Sequence, residues 1–373
     1  MRVLQVVTFV GSTGKFGGPP TVALGQLSAL IEHGHDAELV ALASADEASD
    51  RTVEGVPAHL FRARTWIPGP GLLGLCNVRL VLWLWRSVRR YDIVHVHAGR
   101  DLVTVVSLSI ARLRGVPYVC QTHGMIMPRT SPPARLFDRV LRPLLRHAGE
   151  LFVLTDEETV GLSAVTRGMQ PRRIANGVPV VVPAEPRELP SPPTIVFLAR
   201  LHPRKRVMAF VEMAELLVST GWSGNFVIYG PDEGSLPDVR ARIADLAECS
   251  YAGAVDHPEA LRVLGGAAVY VLPSVDEPFP MSLLEALAAG TPVICTDSCG
   301  IAEALRGRPG SQVTNGEPAE LAASVRMFTA DPPTWASHSA GARTTAEQLF
   351  SLDAVVTTLV STYSRVVGSA GAP

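Results

Sequence analysis

Short apolar runs that end in small or polar residues alternate along this chain with stretches of helical periodicity. In the first half the runs are RVLQVVTF, DAELVALA, DIVHVHA, PYVCQTH and ELFVLT, and helical spacing fills residues 21–33, 101–114 and 134–147. Apolar runs of this length bounded by turn signals read as buried strands, and their alternation with helices reads as a parallel, doubly wound sheet. A proline-rich stretch, IANGVPVVVPAEPRELPSPP, then marks a boundary. Beyond it the pattern restarts with TIVFLAR, GNFVIYG, SYAGAV, VYVLPS and TPVICT, interleaved with helices over 207–219, 258–265 and 281–289. The expectation is an α/β protein of two doubly wound, Rossmann-like domains facing each other across a cleft. Residues 1–180 form the first, 181–193 the linker and 194–350 the second. Within 351–373, a last helix over 352–367 crosses back to the first domain and the tail GSAGAP is disordered.

A length of 373 residues suits two domains, because single cores stop growing near ~250–300 residues. Composition, 47% hydrophobic and 18% charged, excludes a disordered or fibrous chain. The most apolar stretch, residues 72–85 (LLGLCNVRLVLWLW), contains Arg79 and falls short of the ~20 residues that span a bilayer, so it reads as one buried or interfacial helix. The chain opens directly on a strand-like run with no charged n-region, which predicts a cytoplasmic protein. Five scattered cysteines without a C-x-x-C pair favour neither a disulfide framework nor a zinc knot, and Cys295 and Cys299 are expected in a loop.

Charge changes the picture more. Residues 1–180 carry twenty Arg and Lys against fourteen Asp and Glu, and the remainder thirteen against twenty-one. A basic first half suits an anionic acceptor or an anionic membrane surface, although solvated surface charge would look the same. Only two lysines occur, Lys15 and Lys205. Lys15 stands in GSTGKFGG, which invites comparison with a phosphate-binding P-loop. That loop needs Gly, four residues, then Gly-Lys-Ser/Thr. Here Gly14-Lys15 is followed by Phe16, and Phe9 stands where the first glycine should, so ATP turnover is not expected.

The most informative stretch is SVDEPFPMSLLEALAAGTPVI, residues 274–294. A strand runs into a loop bearing Glu277, and a helix starting near Met281 carries Glu285. Backbone N–H groups at a helix start cradle anions or hydroxyls, and two carboxylates eight residues apart can grip two parts of one polyhydroxylated ligand. A capping acid followed by a solvated glutamate would give the same pattern. The whole E-P-F-P-M-S-L-L-E segment with its A-A-G-T-P-V-I tail resembles the E-x7-E signature of retaining glycosyltransferases of GT-B fold, specifically glycosyltransferase family 4. The resemblance implies that Glu277 binds the donor sugar and Glu285 the ribose of the nucleotide.

Other segments fit the same resemblance. LARLHPRKRV places Arg200 and Lys205 as the pair that neutralises the leaving diphosphate, which suits charge development on departure. QTHGM places His123 at a strand end, where the family contacts the sugar near the reacting carbon. Gly230, closing GNFVIYG, is counted with the donor-binding positions. GGPPTVALGQL resembles the family's first loop-to-helix turn, with Gly17 and Gly18 allowing close approach of donor phosphate and acceptor. His95 and His97 in DIVHVH read as scaffold, with no metal site implied; Asn176-Gly177 matches the turn before the linker. Pro278 and Pro280 depart from the family's usual E-G-F-G and remove backbone donors, so sugar contacts fall to the Phe279, Met281 and Ser282 amides.

The resemblance thus implies a metal-independent retaining transferase with no resident cofactor, the nucleotide-sugar donor being a co-substrate. Its acceptor would be lipid-linked or anionic, with no nucleic-acid partner. Arg135, Arg139, Arg142 and Arg146 recur at helical spacing, a pattern suited to peripheral contact with the inner face of an anionic membrane. A nucleotide-sugar 2-epimerase of the same fold and a non-catalytic nucleotide-sugar-binding module are the alternatives.

Overall fold

Two units divide the chain, Met1–Gly177 with Leu352–Pro373, and Val178–Ser351. The structure, a computed structural model, describes residues 1–11, 18–48, 51–67, 71–180 and 187–370.

In the first unit the strands are β1 (Arg2–Val10), β2 (Asp36–Ala43), β3 (Thr52–Val53), β4 (Val56–Arg62), a ribbon of β5 (Arg64–Thr65) with β6 (Leu75–Cys76), β7 (Ile93–His97), β8 (Tyr118–Gln121), β9 (Glu150–Val153) and β10 (Arg172–Arg173). The main sheet runs β10-β9-β8-β7-β1-β2-β4-β3, parallel throughout except that β3 pairs antiparallel with β4. Helices α1 (Pro19–Glu32), α2 (Val78–Ser87), α3 (Leu102–Leu113), α4 (Pro132–Arg146) and α5 (Asp156–Thr166) connect these strands.

Alternation along β1 divides its side chains between two apolar clusters, with Leu4 and Val6 in one and Val3 and Val7 in the other. Val3, Leu4, Val6 and Val7 therefore make a largely apolar run, interrupted by Gln5, as suits a strand covered on both faces. The second cluster is completed by Val356, Leu359 and Tyr363 of the last helix, which is why residues after 352 belong to the first unit.

The second unit holds β11 (Thr194–Leu198), β12 (Asn225–Tyr229), β13 (Cys249–Gly253), β14 (Val269–Leu272), β15 (Val293–Thr296) and β16 (Ser311–Thr314) in a parallel sheet of order β13-β12-β11-β14-β15-β16. Its helices are α6 (Val207–Ser219), α7 (Leu236–Ile243), α8 (His257–Gly266), α9 (Met281–Ala288), α10 (Ala302–Leu305), α11 (Pro318–Phe328) and α12 (Pro332–Phe350), and α13 (Leu352–Ala370) returns to the first unit.

Several boundaries differ from the sequence reading. The division falls at Gly177/Val178 and not at 180, and the described part of the expected linker is fixed to the second unit. Arg187 donates to Ala289 O, Thr291 Oγ1 and Ala267 O at 3.0, 2.8 and 3.0 Å. The stretch 72–85 is not one helix. The helix starts at Val78, because the Asn77 side chain accepts from Arg79 N at 2.7 Å while its amide reaches Arg62 O, and it leaves Leu82 and Trp85 exposed. Of the tail expected to be disordered, Gly368–Ala370 continue the last helix, and residues 371–373 lie outside the described residues. Cys295 lies within β15 and only Cys299 in the following loop; all five cysteines are buried thiols.

Candidate functional site

Strand order in the second unit reverses between β11 and β14, so the loops leaving these two strands open side by side, the position where doubly wound sheets bind ligands. The loops hold each other. Val275 N–H donates to Arg204 O at 2.9 Å, and Arg204 Nη1 donates to Asp276 O at 2.7 Å. This clamp sets Lys205 Nζ on Glu277 Oε2, with Arg204 Nη2 3.9 Å from the same oxygen. The Lys205 and Glu277 side chains are each only 11% exposed, so the pair is largely shielded from water. Arg206 and Asp276 both adopt φ of 50°, a left-handed conformation that costs a non-glycine residue roughly 1–2 kcal/mol. The clamp between the loops offsets that strain.

The remaining predicted residues of this unit take distinct places. Arg200, on the β11 loop, pairs with Glu233 at 3.0 Å in an exposed bridge and makes no contact with Glu277. Glu285 lies on α9 with His257 Nε2 3.2 Å from its Oε1. Leu283 and Leu284 N–H groups reach back to Pro280 O, which leaves the Met281 and Ser282 amides at the open end of α9 as donors. The Ser282 hydroxyl bonds Tyr270 OH at 2.7 Å, and Tyr270 OH donates to Leu198 O at 3.0 Å, so Ser282 is the donor to Tyr270. Burial pushes the Tyr270 phenol up, which keeps that proton in place. Phe279 packs its ring edge-on against Phe350 at 6.1 Å. Gly230, at φ 140°, is required for packing: a Cβ there would lie 1.8 Å from Ala199 O.

In the first unit His123 follows β8 with φ 49°, and Gly124 after it has φ 71°. Glu158 of α5 holds this bend. Its carboxylate accepts from Thr122 Oγ1, from Gly124 N at 2.5 Å and from Leu154 N at 2.7 Å. The His123 ring stacks on His97 and its Nε2 lies 2.7 Å from His97 Nδ1. His97 Nε2 in turn meets Gln5 Oε1 at 2.9 Å, and amide bonds run on from Gln5 to Gln26 (3.1 Å), Gln121 (3.0 Å) and Asn176 (3.4 Å). Gln5 Oε1 can only accept, so His97 carries its proton on Nε2, and its bare Nδ1 accepts from His123 Nε2–H. Neutral His123 is left with Nδ1 as an acceptor. Burial holds both rings neutral, depressing His123 to about 3 and His97 well below the ordinary imidazole range. His95, bonded through Nδ1 to Tyr363 OH at 2.7 Å, is likewise depressed to about 3.

A cavity of about 590 Å³ opens beside this network, at the carboxyl ends of β1 and β7, where strand order in the first sheet reverses. His97 forms part of its wall. Gly18 caps α1 with φ 29°, and the prolines that follow remove two of the helix's first N–H groups, so this helix start offers few donors. Gly17 and Lys15 lie outside the described residues. Among the described residues no group of three His, Cys, Asp or Glu could hold a metal, and no helix is long and apolar enough to cross a membrane.

Sequence reasoning missed Arg204, Tyr270, His257 and Glu158. Arg204 stood beside Lys205 in PRKR; a polar Gln5 within RVLQVVTF was the available sign of a buried network.

Two family models match, one described as glycosyl transferase 4-like domain over residues 17–177 and one as glycosyl transferases group 1 over residues 192–331. The chain is 28% identical to 2-deoxystreptamine glucosyltransferase of Streptomyces kanamyceticus, across 83% of this chain and 88% of that protein. It is 27% identical to D-inositol 3-phosphate glycosyltransferase of Gordonia bronchialis, across 75% and 67%. Among solved structures, HepE of Anabaena in complex with UDP superposes with a TM-score of 0.73 at 17% identity, covering 98% of this chain and 100% of that one.

Proposed function

Because the chain belongs to the GT-B glycosyltransferases of the family-4 kind, we propose that it moves a sugar from a nucleoside-diphosphate donor to an acceptor hydroxyl with retention of anomeric configuration. The acceptor oxygen bonds to the anomeric carbon on the face from which the diphosphate departs. The bond from that carbon to the phosphate oxygen breaks, its electron pair leaves with the diphosphate, and a phosphate oxygen takes the acceptor's proton. Products are a glycoside and a nucleoside diphosphate, with no side-chain nucleophile involved.

Arg200, Lys205 and, beyond the sequence reading, Arg204 are the cations on the β11 loop that stabilise the departing charge, in the place a divalent ion would otherwise take. Glu277 and the Phe279, Met281 and Ser282 amides hold sugar hydroxyls, Glu285 holds the ribose, and His123 Nδ1 accepts a hydrogen bond from the sugar. Gly230 and Gly18 keep the backbone low beside donor and acceptor. UDP-sugars are the first donors to try, UDP being the nucleotide bound in HepE. The enzyme works in the cytoplasm and touches an anionic membrane through α4, whose Arg135, Arg139 and Arg146 are exposed beside Leu136 and Val140.

One observation carries the reading: the Lys205–Glu277 pair, clamped at the switch point between β11 and β14. The test is proton NMR of the protein with UDP-, GDP-, ADP- and dTDP-sugars, beside Glu285→Ala. Slow release of the parent sugar from one donor, lost in the variant, supports the transferase. Conversion of the donor to its epimer supports the 2-epimerase and contradicts it.

A further inference from the structure

Gln5 of β1, Gln26 of α1, Gln121 at the end of β8 and Asn176 before the unit boundary bring four side-chain amides into the core of the first unit, each at most 3% exposed. A buried amide is costly unless it is bonded, and an apolar side chain of similar volume would fill the same space. These four are bonded in one direction. Gln5 Nε2 donates to Gln26 Oε1, Gln26 Nε2 to Gln121 Oε1 and Gln121 Nε2 to Asn176 Oδ1, at 3.1, 3.0 and 3.4 Å. Gln26 and Gln121 each spend the carbonyl on one neighbour and the N–H on the next. Turning either one alone would set carbonyl against carbonyl and N–H against N–H.

The accepting end of this chain is Gln5 Oε1, 2.9 Å from His97 Nε2. The hydrogen bond at one imidazole nitrogen decides which nitrogen carries the proton. A carbonyl oxygen has no proton to give, so His97 keeps its own on Nε2, its Nδ1 accepts from His123 Nε2–H at 2.7 Å, and His123 is left with a lone pair on Nδ1. An apolar residue at position 5 would release His97 to either tautomer, and His123 could then present a lone pair or an N–H. Both rings stay neutral at pH 7, so protonation does not override the arrangement. His123 is half-buried while His97 and the four amides are buried, so the polarity set in the core emerges at His123.

We propose that Gln5, held by Gln26, is a positioning residue for sugar transfer: by fixing the His97 tautomer it makes His123 an acceptor only, so that the site selects a donor sugar offering a hydroxyl or N–H to this ring. This rests on the transferase reading above, in which His123 meets the sugar. A carboxylate or ether oxygen at the same place on the sugar would face the Nδ1 lone pair without a proton between them and bind poorly.

Nitrogen-15 NMR of the full chain labelled in its histidine rings separates protonated from bare ring nitrogens, and His97→Asn and His123→Asn assign the two rings. In the wild type both His97 and His123 should be protonated on Nε2. Gln5→Met keeps the length of the side chain and removes its oxygen, so the two His97 tautomers should mix. In the same variant kcat/KM for the sugar nucleotide that the wild type consumes should fall about tenfold, while affinity for the corresponding nucleoside diphosphate, which lacks the sugar, changes by less than about twofold. Gln26→Met, which removes only the anchor of the Gln5 amide, is the milder variant and should shift both readouts the same way by less. Val3→Ala truncates a buried side chain on the same strand without touching the amides, and should lower stability yet keep the ring signals and kcat/KM. His97 protonated on Nδ1 in the wild type, an unchanged tautomer in Gln5→Met, mixed tautomers with unchanged kcat/KM, or an equal loss of kcat/KM in Val3→Ala would each overturn the inference. The expected tautomers, lost in Gln5→Met, in a wild type that transfers sugar to no acceptor would uphold the control of the ring by Gln5 and sink the transferase.

Discussion

Replacing Lys205 by methionine keeps the length and apolar stem of the side chain and removes its charge. Lys205 and Glu277 are each 11% exposed and bonded to one another, so the substitution strands a largely buried carboxylate. Breaking a buried pair from one side costs about 3–5 kcal/mol. Arg204, already 3.9 Å from the same oxygen, can move closer and recover part of that. A net loss of roughly 3 kcal/mol is expected, and for a domain of this size it lowers the unfolding temperature of the second unit by roughly 6–12 °C. Arg200→Met is the internal comparison. Its bridge to Glu233 joins side chains 49% and 35% exposed, and exposed pairs contribute at most about 1 kcal/mol. Calorimetric scans of Lys205→Met, Glu277→Gln, the double variant and Arg200→Met complete the experiment. The double variant should recover most of the loss, giving a coupling of about 2 kcal/mol, since no lone charge remains. Equal shifts for Lys205→Met and Arg200→Met, or strict additivity in the double variant, would refute the clamped pair.

Other consequences follow from the same geometry. Arg200→Met should fold normally yet lose about 100-fold in kcat/KM, the scale of losing one preorganised charge at a leaving group; unchanged turnover would remove Arg200 from the site. Acid should selectively destabilise the first unit. His95 and His123 titrate near 3 in the fold and His97 well below its ordinary value, so between about pH 6.5 and 3 the unfolded chain binds protons that the folded one does not. Their contribution is complete above pH 6.5 and is lost as pH falls, by up to about 1.4 kcal/mol per pH unit for each ring. Pulse proteolysis from pH 7 to 5 should show the first unit opening first, and identical pH dependence of the two units would contradict it. Glu158→Gln replaces one accepting oxygen with a donor at the bend of His123, and should cost about 2–3 kcal/mol and at least tenfold in kcat/KM; a wild-type KM and kcat would show that the bend does not depend on it. Co-sedimentation with anionic liposomes at low salt should occur and should weaken in Arg135→Gln/Arg139→Gln, and failure to sediment would count against the membrane contact.

Much of this was legible in the residues themselves. Apolar runs such as DAELVALA, which is β2 residue for residue, announce buried parallel strands because both faces are covered. The strand over Val56–Arg62 escaped notice because its proline and histidine interrupt the run, although alternate positions Val56, Ala58 and Leu60 are buried. Asn77 explains the broken helix: a cap inside an apolar stretch outweighs its hydrophobicity. Glu277 and Lys205 stand 72 positions apart, and only the strand reversal between β11 and β14 makes them neighbours. The chain from His123 through Gln5 to Asn176 was invisible for the same reason, since hydrogen-bond partners on four separate elements leave no periodic trace. Arg200 shows the opposite case: the resemblance implies a phosphate role, while the fold pairs it with Glu233 in an exposed bridge.

The most direct test of retaining transfer is the anomeric configuration of the first product. The purified chain would be incubated with the α-linked nucleotide sugar it consumes and an alcohol acceptor identified by screening, and the one-bond carbon–proton coupling at the anomeric centre followed from the earliest minutes. A product with the one-bond coupling of an α-glycoside, appearing in step with nucleoside diphosphate and absent in Lys205→Met, is the expected result. A β-glycoside as the first product would contradict same-face displacement and with it the roles given to Arg200, Lys205 and Glu277.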